Sequence, residues 1–297
     1  MVARLVLALL LCAVVVLASA RADACSICSS GDPLLSARDA AGDAGGLRLD
    51  LGSGIASAWA QSEEDAGETE SVTQVTIAAT AAFSPMERLG FVVHLPVVLK
   101  FLGERDAAGL GDLDVAARVL ALRHVDFQSR SRHTVSASVG LSLPTGANDK
   151  DAGGVRLDEH AQPGTGAFGG WLGAQYRYER DPFSAYVGVA GRGWTTNAFG
   201  YRHGPALQWT ALAQVRPIER LALEAGVDGR YAARDVSQDE LQANTGGLVL
   251  ALSPGMLLRL VGELWVTARV QVPVFAHLFG VQGVGPTVQF GLQWRAL

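Results

Sequence analysis

Long apolar runs are missing from most of this chain. After the first twenty residues none approaches the ~18 that a membrane-crossing helix needs. Yet 49% of the 297 residues are hydrophobic and the mean hydropathy is +0.22. Apolar content dispersed in this way is expected of alternating membrane strands. A basic excess is missing too. Lys and Arg number 24 against 29 Asp and Glu, for a net charge of -5, so nothing favours nucleic acid. Motifs of catalysis are likewise absent. The six histidines, His94, His124, His133, His160, His203 and His277, form no His-Glu-x-x-His pair, and no Gly-x-Ser-x-Gly elbow occurs. A wall-mounted pair of Ser136 or Ser138 with a distant histidine is the one hydrolase alternative, and nothing favours it. The expectation is a protein that is not an enzyme and carries no cofactor.

Cysteine is scarce, and its placement matters. Arg4, the apolar stretch from Leu5 to Leu17 and the small residues that follow make residues 1–24 a secretory signal, cleaved after Ala20 or Ala24. Cys12 leaves with it. Residues 25–45 then form a periplasmic segment holding Cys25 and Cys28. In an oxidising compartment this pair is a local disulfide or idle thiols, or else a soft-metal site for Cu(I) or Zn. Two ligands do not complete a zinc site, and no His follows Cys28, which excludes covalent haem attachment. Lipidation of Cys25 is an alternative that Ala22 and Asp23 fit poorly.

What is present from residue 46 to 297 is period-2 alternation. Twelve segments show it: about 46–60, 71–83, 90–101, 111–123, 133–144, 166–178, 183–195, 204–216, 219–232, 246–255, 263–275 and 285–297. Val135, Ala137, Val139, Leu141 and Leu143 alternate with Thr134, Ser136, Ser138, Gly140 and Ser142 in the fifth. Each segment reaches the ~9–11 residues that a tilted membrane strand needs. The fold expected is all-β: a transmembrane antiparallel up-and-down barrel of about twelve strands, with outer-membrane lipid as partner of its apolar face.

Connections alternate in length. Short ones recur at Ser84–Leu89, Glu179–Pro182 and Arg216–Leu221, and Pro-x-Glu-Arg-Leu occurs twice among them. Long ones fall at Gln61–Glu70, Pro144–Thr165, Thr196–Gly204 and Ala233–Thr245. Short turns belong in the periplasm and long loops outside, so both termini are expected in the periplasm. The turn around His124–Arg132 is the misfit, being too long. Glu63, Glu64, Asp65, Glu68 and Glu70, and Asn148 to Asp151, read as solvated loop surface. Trp59, Phe83, Phe91, Phe101, Trp171, Tyr176, Tyr178, Phe183, Trp194, Trp209, Phe275 and Trp294 cluster near strand ends, as interfacial girdles require.

The wet face collects Arg48, Asp50, His94, Lys100, Asp112, Asp114, Arg118, Arg177, Arg192, Glu224, Asp228, Arg230, Arg269 and Arg295. In a dry core each unpaired charge costs several kcal/mol, so a hydrated or salt-bridged lumen is the sensible host. These residues either pair and fill the barrel or line a narrow path for small solutes. Twelve strands lie between barrels that side chains plug and the wide 16–18-stranded channels.

Gly111-Asp112-Leu113 opening one strand, Gly140-Leu-Ser-Leu-Pro-Thr-Gly146 closing the next, and Val272-Pro273-Val274 carry a likeness. The chain resembles the outer-membrane transporter family named for the meta-pathway of phenol degradation, over roughly residues 46 to 297. Membership implies a porin-like barrel passing small molecules, often aromatic or hydrophobic, across the outer membrane of a Gram-negative cell. The competing expectation is a plugged structural barrel whose Cys25/Cys28 segment binds a metal or a periplasmic partner. The last strand, with Gln289, Gly291 and Trp294, resembles the signal read by the barrel-assembly machinery, although Ala296-Leu297 replace the usual final aromatic. It is expected to pair with the first strand near Leu47–Leu51 and so close the barrel.

Overall fold

The computed structural model describes residues 46–61, 69–102 and 106–296. The expected signal, the Cys25/Cys28 segment and the acid-rich residues 63–68 lie outside the described residues.

Each of the twelve alternating segments overlaps one long strand. They are β1 (Leu47–Gln61), β2 (Thr69–Met86), β3 (Leu89–Phe101), β4 (Leu113–Asp126), β5 (Ser131–Leu143) and β6 (Gly169–Arg180). Then follow β7 (Phe183–Trp194), β8 (Ala206–Ile218), β9 (Leu221–Ala232), β10 in two halves (Gly247–Leu252 and Gly255–Val261), β11 (Leu264–Leu278) and β12 (Thr287–Ala296). Every strand pairs antiparallel with the next. β12 also pairs with β1, from Leu47 opposite Ala296 to Ile55 opposite Val288. That pairing is the seam expected from the sequence, and it leaves the barrel without a free edge.

The two faces differ as the alternation requires. On β5, Ser136, Ser138 and Ser142 are at most 5% exposed, while Val139 and Leu141 between them are 50% and 55% exposed. The outer surface is a continuous apolar belt carrying Leu49, Leu51, Val93, Leu95, Val187 and Leu292. A belt that large needs a lipid cover. The inner face is polar, with Thr76, Thr80, Gln175, Thr210 and Gln293 buried.

Turn chemistry sets one end of the barrel. The two Pro-x-Glu-Arg-Leu copies fold alike. Met86 pairs with Leu89, and Ile218 with Leu221, around two-residue Glu-Arg turns. The register shifts just before each pair, at Pro85 and Pro217, where proline has no N–H to give the ladder. The misfit at His124–Arg132 disappears, because β4 and β5 extend to pair Asp126 with Ser131 and leave only residues 127–130 as a turn.

Three expectations needed correction. The tenth strand does not stop at 255: it breaks at Ser253-Pro254, resumes at Gly255 and turns at Gly262-Glu263. Leu and Ala runs on both sides had hidden its period. The aromatic girdle is real for Phe83, Phe91, Phe101, Phe183, Phe275 and Trp294, all exposed on the outer face. Trp171 and Trp194 instead share the inward parity of Gln175 and Arg192. Trp171 is buried, its indole lying where a Cβ on Gly140 would go. Finally, Asn148 is buried inside its loop rather than solvated.

Candidate functional site

The longest described connection, residues 144–168, turns inward at the long-loop end. Its base is held by Asp112. Gly146 N–H donates to Asp112 Oδ1 at 3.0 Å, while Thr165 donates its N–H at 2.9 Å and its hydroxyl at 2.5 Å to Oδ2. Leu113 N–H donates to Thr145 Oγ1 at 3.0 Å. The Gly-Asp-Leu and Leu-Pro-Thr-Gly motifs are therefore two halves of one latch. Gly146 and Gly164 meet so closely that a Cβ on either would sit 2.6–2.7 Å from the other's backbone, which explains both glycines.

The body of the loop is tied to itself and to the wall. Asn148 Nδ2 donates to Glu159 Oε2 at 3.0 Å and to Gly164 O at 3.1 Å. Arg156 Nη2 and Asn197 Nδ2 donate to Glu159 Oε1 at 2.7 and 3.0 Å. Gln162, among the most buried side chains of the protein, bonds both backbone groups of Lys150 at 2.9 Å. From β3, Lys100 Nζ donates to His160 O at 2.6 Å. The loop is thus tied to the wall and to itself with its polar groups satisfied, as burial requires.

A second knot joins three loops above it. Tyr201 donates its hydroxyl to Asp235 Oδ2 at 2.6 Å and lies 2.9 Å from His160 Nε2. Gly204 N–H donates to Asp235 Oδ1 at 2.7 Å, and His203 Nδ1 approaches Oδ2 to 3.6 Å. Burial opposes ionisation of Asp235. The His203 ring beside it, the charges of His160 and His203 and the Gly204 N–H outweigh it, holding the carboxyl well below its usual range. Burial, reinforced by Asp235, pushes the Tyr201 phenol far above its ordinary value.

Between this loop assembly and the wall lies a cavity of about 190 Å³. Of the residues expected to line a lumen, it brings together His94, Lys100, Asp112, Asp114, Arg192 and Arg230. Asp114 faces His94 and Ser142 on its neighbouring strands. Arg192 reaches it from β7, Nη2 to Oδ1 at 2.8 Å, and Ser142 Oγ bonds both. Trp194 lies beside Arg192, ring centre 5.2 Å from Cζ. His94 Nδ1 meets Thr80 Oγ1 at 2.8 Å.

The other expected residues do not join this cavity. Asp228 and Arg269 pair at 2.7 and 3.0 Å, supported by Gln271 Nε2 at 2.7 Å and Ser253 Oγ. Arg48 pairs with Asp50 at 2.7 Å, Arg177 with Glu179 at 2.9 Å, and Gln214 Nε2 donates to Glu224 at 2.8 Å. Arg118 Nε donates to Ser136 Oγ at 3.0 Å. Arg295 stands opposite Arg48 in register but is exposed at the barrel end. Among the described residues no group of three His, Cys, Asp or Glu is arranged to hold a metal ion. Sequence reasoning missed Glu159, Gln162, Asn197, Tyr201 and Asp235 entirely. Their one hint was the length of the loops that carry them.

Residues 39–274 match the family described as MetA-pathway of phenol degradation. No curated protein matches the sequence. Among solved structures, an outer membrane channel from Pseudomonas putida F1 shares 10% identity, with 86% of this chain and 96% of that one covered, at a TM-score of 0.68. The translocator domain of the autotransporter NalP from Neisseria meningitidis shares 13% identity over 89% and 94% of the two chains, at a TM-score of 0.46. The first likeness supports the barrel fold.

Proposed function

The chain belongs to the MetA-pathway of phenol degradation family, and we propose that it is an outer-membrane channel admitting small solutes past its inward loop. The carrying observation is that loop. At the long-loop end of a closed, polar-lined barrel it encloses, with the wall, a cavity of about 190 Å³. Pockets for drug-sized ligands run ≈ 300–1,000 Å³, so what this cavity holds is smaller than that. The family description favours aromatic or hydrophobic ones. The long loops face outward and both termini face the periplasm, after removal of residues 1–24 and insertion by the barrel-assembly machinery. Arg48, Asp50, His94, Asp112, Asp114, Arg118, Arg177, Arg192, Glu224, Asp228, Arg230, Arg269 and Arg295 make the polar lining, most of them paired so that no single charge dominates the path.

The protein is not a hydrolase in this reading. Ser136 is engaged by Arg118, and among the described residues Ser138 Oγ has no hydrogen-bond partner, histidine or other. A plugged barrel is the rival, and one observation favours it. Trp171, Ala190 and Ala116 pack together on the inner face, filling part of the bore. Liposome swelling decides between the two. With the full barrel in vesicles, small solutes should enter and larger ones be excluded; no swelling with any solute would establish the plug.

A further inference from the structure

We propose that the cavity beneath the inward loop binds a small planar organic anion, of the aromatic carboxylate class. The inference rests on the barrel's being a solute path, and adds the charge and shape of what the site holds. Hydrogen-bonding capacity around the cavity is unevenly spent. Four carboxylates border it, and each is already held. Asp112 carries the latch from Gly146 and Thr165. Glu159 takes Asn148, Arg156 and Asn197. Asp235 takes Tyr201 and Gly204. Asp114 keeps Oδ2 open but shares its charge with Arg192. The carboxylate oxygens are largely committed, so an incoming cation finds few free ones to ligate it.

Donors remain. Arg192 uses Nη2 on Asp114 and Ser142, and among the described residues its Nη1 has no partner. His94 uses Nδ1 on Thr80 and leaves Nε2 without one. Both border the same cavity. A guanidinium whose Nη2 is held by Asp114 and Ser142 has its plane fixed, so Nη1 can donate to a second carboxylate without reordering. Apolar surface completes the site: Trp194 beside Arg192, Pro96 and Val98 on the strand of His94, and Pro163 from the loop. About 190 Å³ suits a single ring with one polar group.

The test is calorimetric titration of the full barrel in detergent micelles with benzoate, and with benzyl alcohol and benzylamine as its neutral and cationic counterparts. Benzoate should bind saturably and about tenfold more tightly than either, the worth of one charge-assisted contact. Arg192→Gln should remove that preference, while Arg220→Gln in an exposed turn should leave it intact. Heat-modifiable gel migration checks that each variant is folded. Trp194→Leu gives a second reading, since it should weaken benzoate and benzyl alcohol alike. Equal binding of the three ligands, or unchanged benzoate binding in folded Arg192→Gln, overturns the assignment. Binding without solute flux overturns the channel and leaves the site standing; flux without benzoate preference does the reverse.

Discussion

Thr165 donates both its backbone N–H and its hydroxyl to one oxygen of Asp112, 53 residues earlier in the chain. That carboxylate, with Gly146 on its other oxygen, fixes where the inward loop leaves and rejoins the wall. Charge-assisted hydrogen bonds contribute roughly 1.5–3 kcal/mol each, so one side chain sets the shape of the constriction.

Asp112→Ala should release the loop without unfolding the barrel, whose ladder the side chain does not enter. Limited proteolysis should then cut within residues 144–168 while the remaining strands resist. A loop as protected as in the wild type would show that other contacts hold it.

The Asp228–Arg269 pair gives a stability prediction. Arg269 is 8% exposed and Asp228 14% in their side chains. Removing one partner of a buried pair typically costs ~3–5 kcal/mol, because the other charge is left uncompensated. Asp228→Ala should lower the thermal transition seen by gel mobility, and Asp228→Leu with Arg269→Met should restore most of it. Equal losses in the single and double variants would mean that the charge is hydrated in the lumen.

The Tyr201–Asp235 contact of the loop knot should be lost by titration of these two groups only in stronger acid or base. The Asp235 carboxyl is depressed below its ordinary value of 3.8, so its contribution is complete above that pH and fades only in stronger acid. The Tyr201 phenol is raised above its ordinary 10.0, so its contribution is complete below that pH and is lost only in stronger base. With His160 and His203 both replaced by Gln, so that their charges no longer act on Asp235, hydrogen exchange of the 195–205 and 233–246 amides should be flat from pH 4 to 10 once the intrinsic rate is removed. Asp235→Asn should raise exchange throughout that window. A step near neutrality in the wild type would place control with His160 or His203.

Gly140 tests the inner packing. A Cβ there would sit 2.2 Å from the Trp171 indole, far inside contact distance. Gly140→Ala should move Trp171 off the wall, shifting tryptophan emission. Unchanged emission and stability would mean that the neighbouring backbone yields instead.

The barrel was legible in the sequence because lipid outside and polar groups inside impose strict alternation, as in β5 and β12. The same parity would have placed Trp171 with Gln175 and Trp194 with Arg192. Nearness to a strand end located these rings along the axis but said nothing of their face. The loop network left no such trace. Asn148, Glu159, Asn197 and Asp235 are brought together by chain reversals that follow no period, and each looks locally like a solvated polar residue. Only the Gly-Asp-Leu and Leu-Pro-Thr-Gly motifs marked the loop, as a resemblance whose physical content is the Asp112 latch. β10 was obscured by Leu residues on both faces.

The most direct test of a loop-restricted conduit is single-channel conductance in planar bilayers, comparing wild type with Asp112→Ala. A small, steady wild-type conductance that rises when the latch is cut is the expected result. Absence of conductance in both proteins at every voltage would contradict the conduit and establish a sealed barrel.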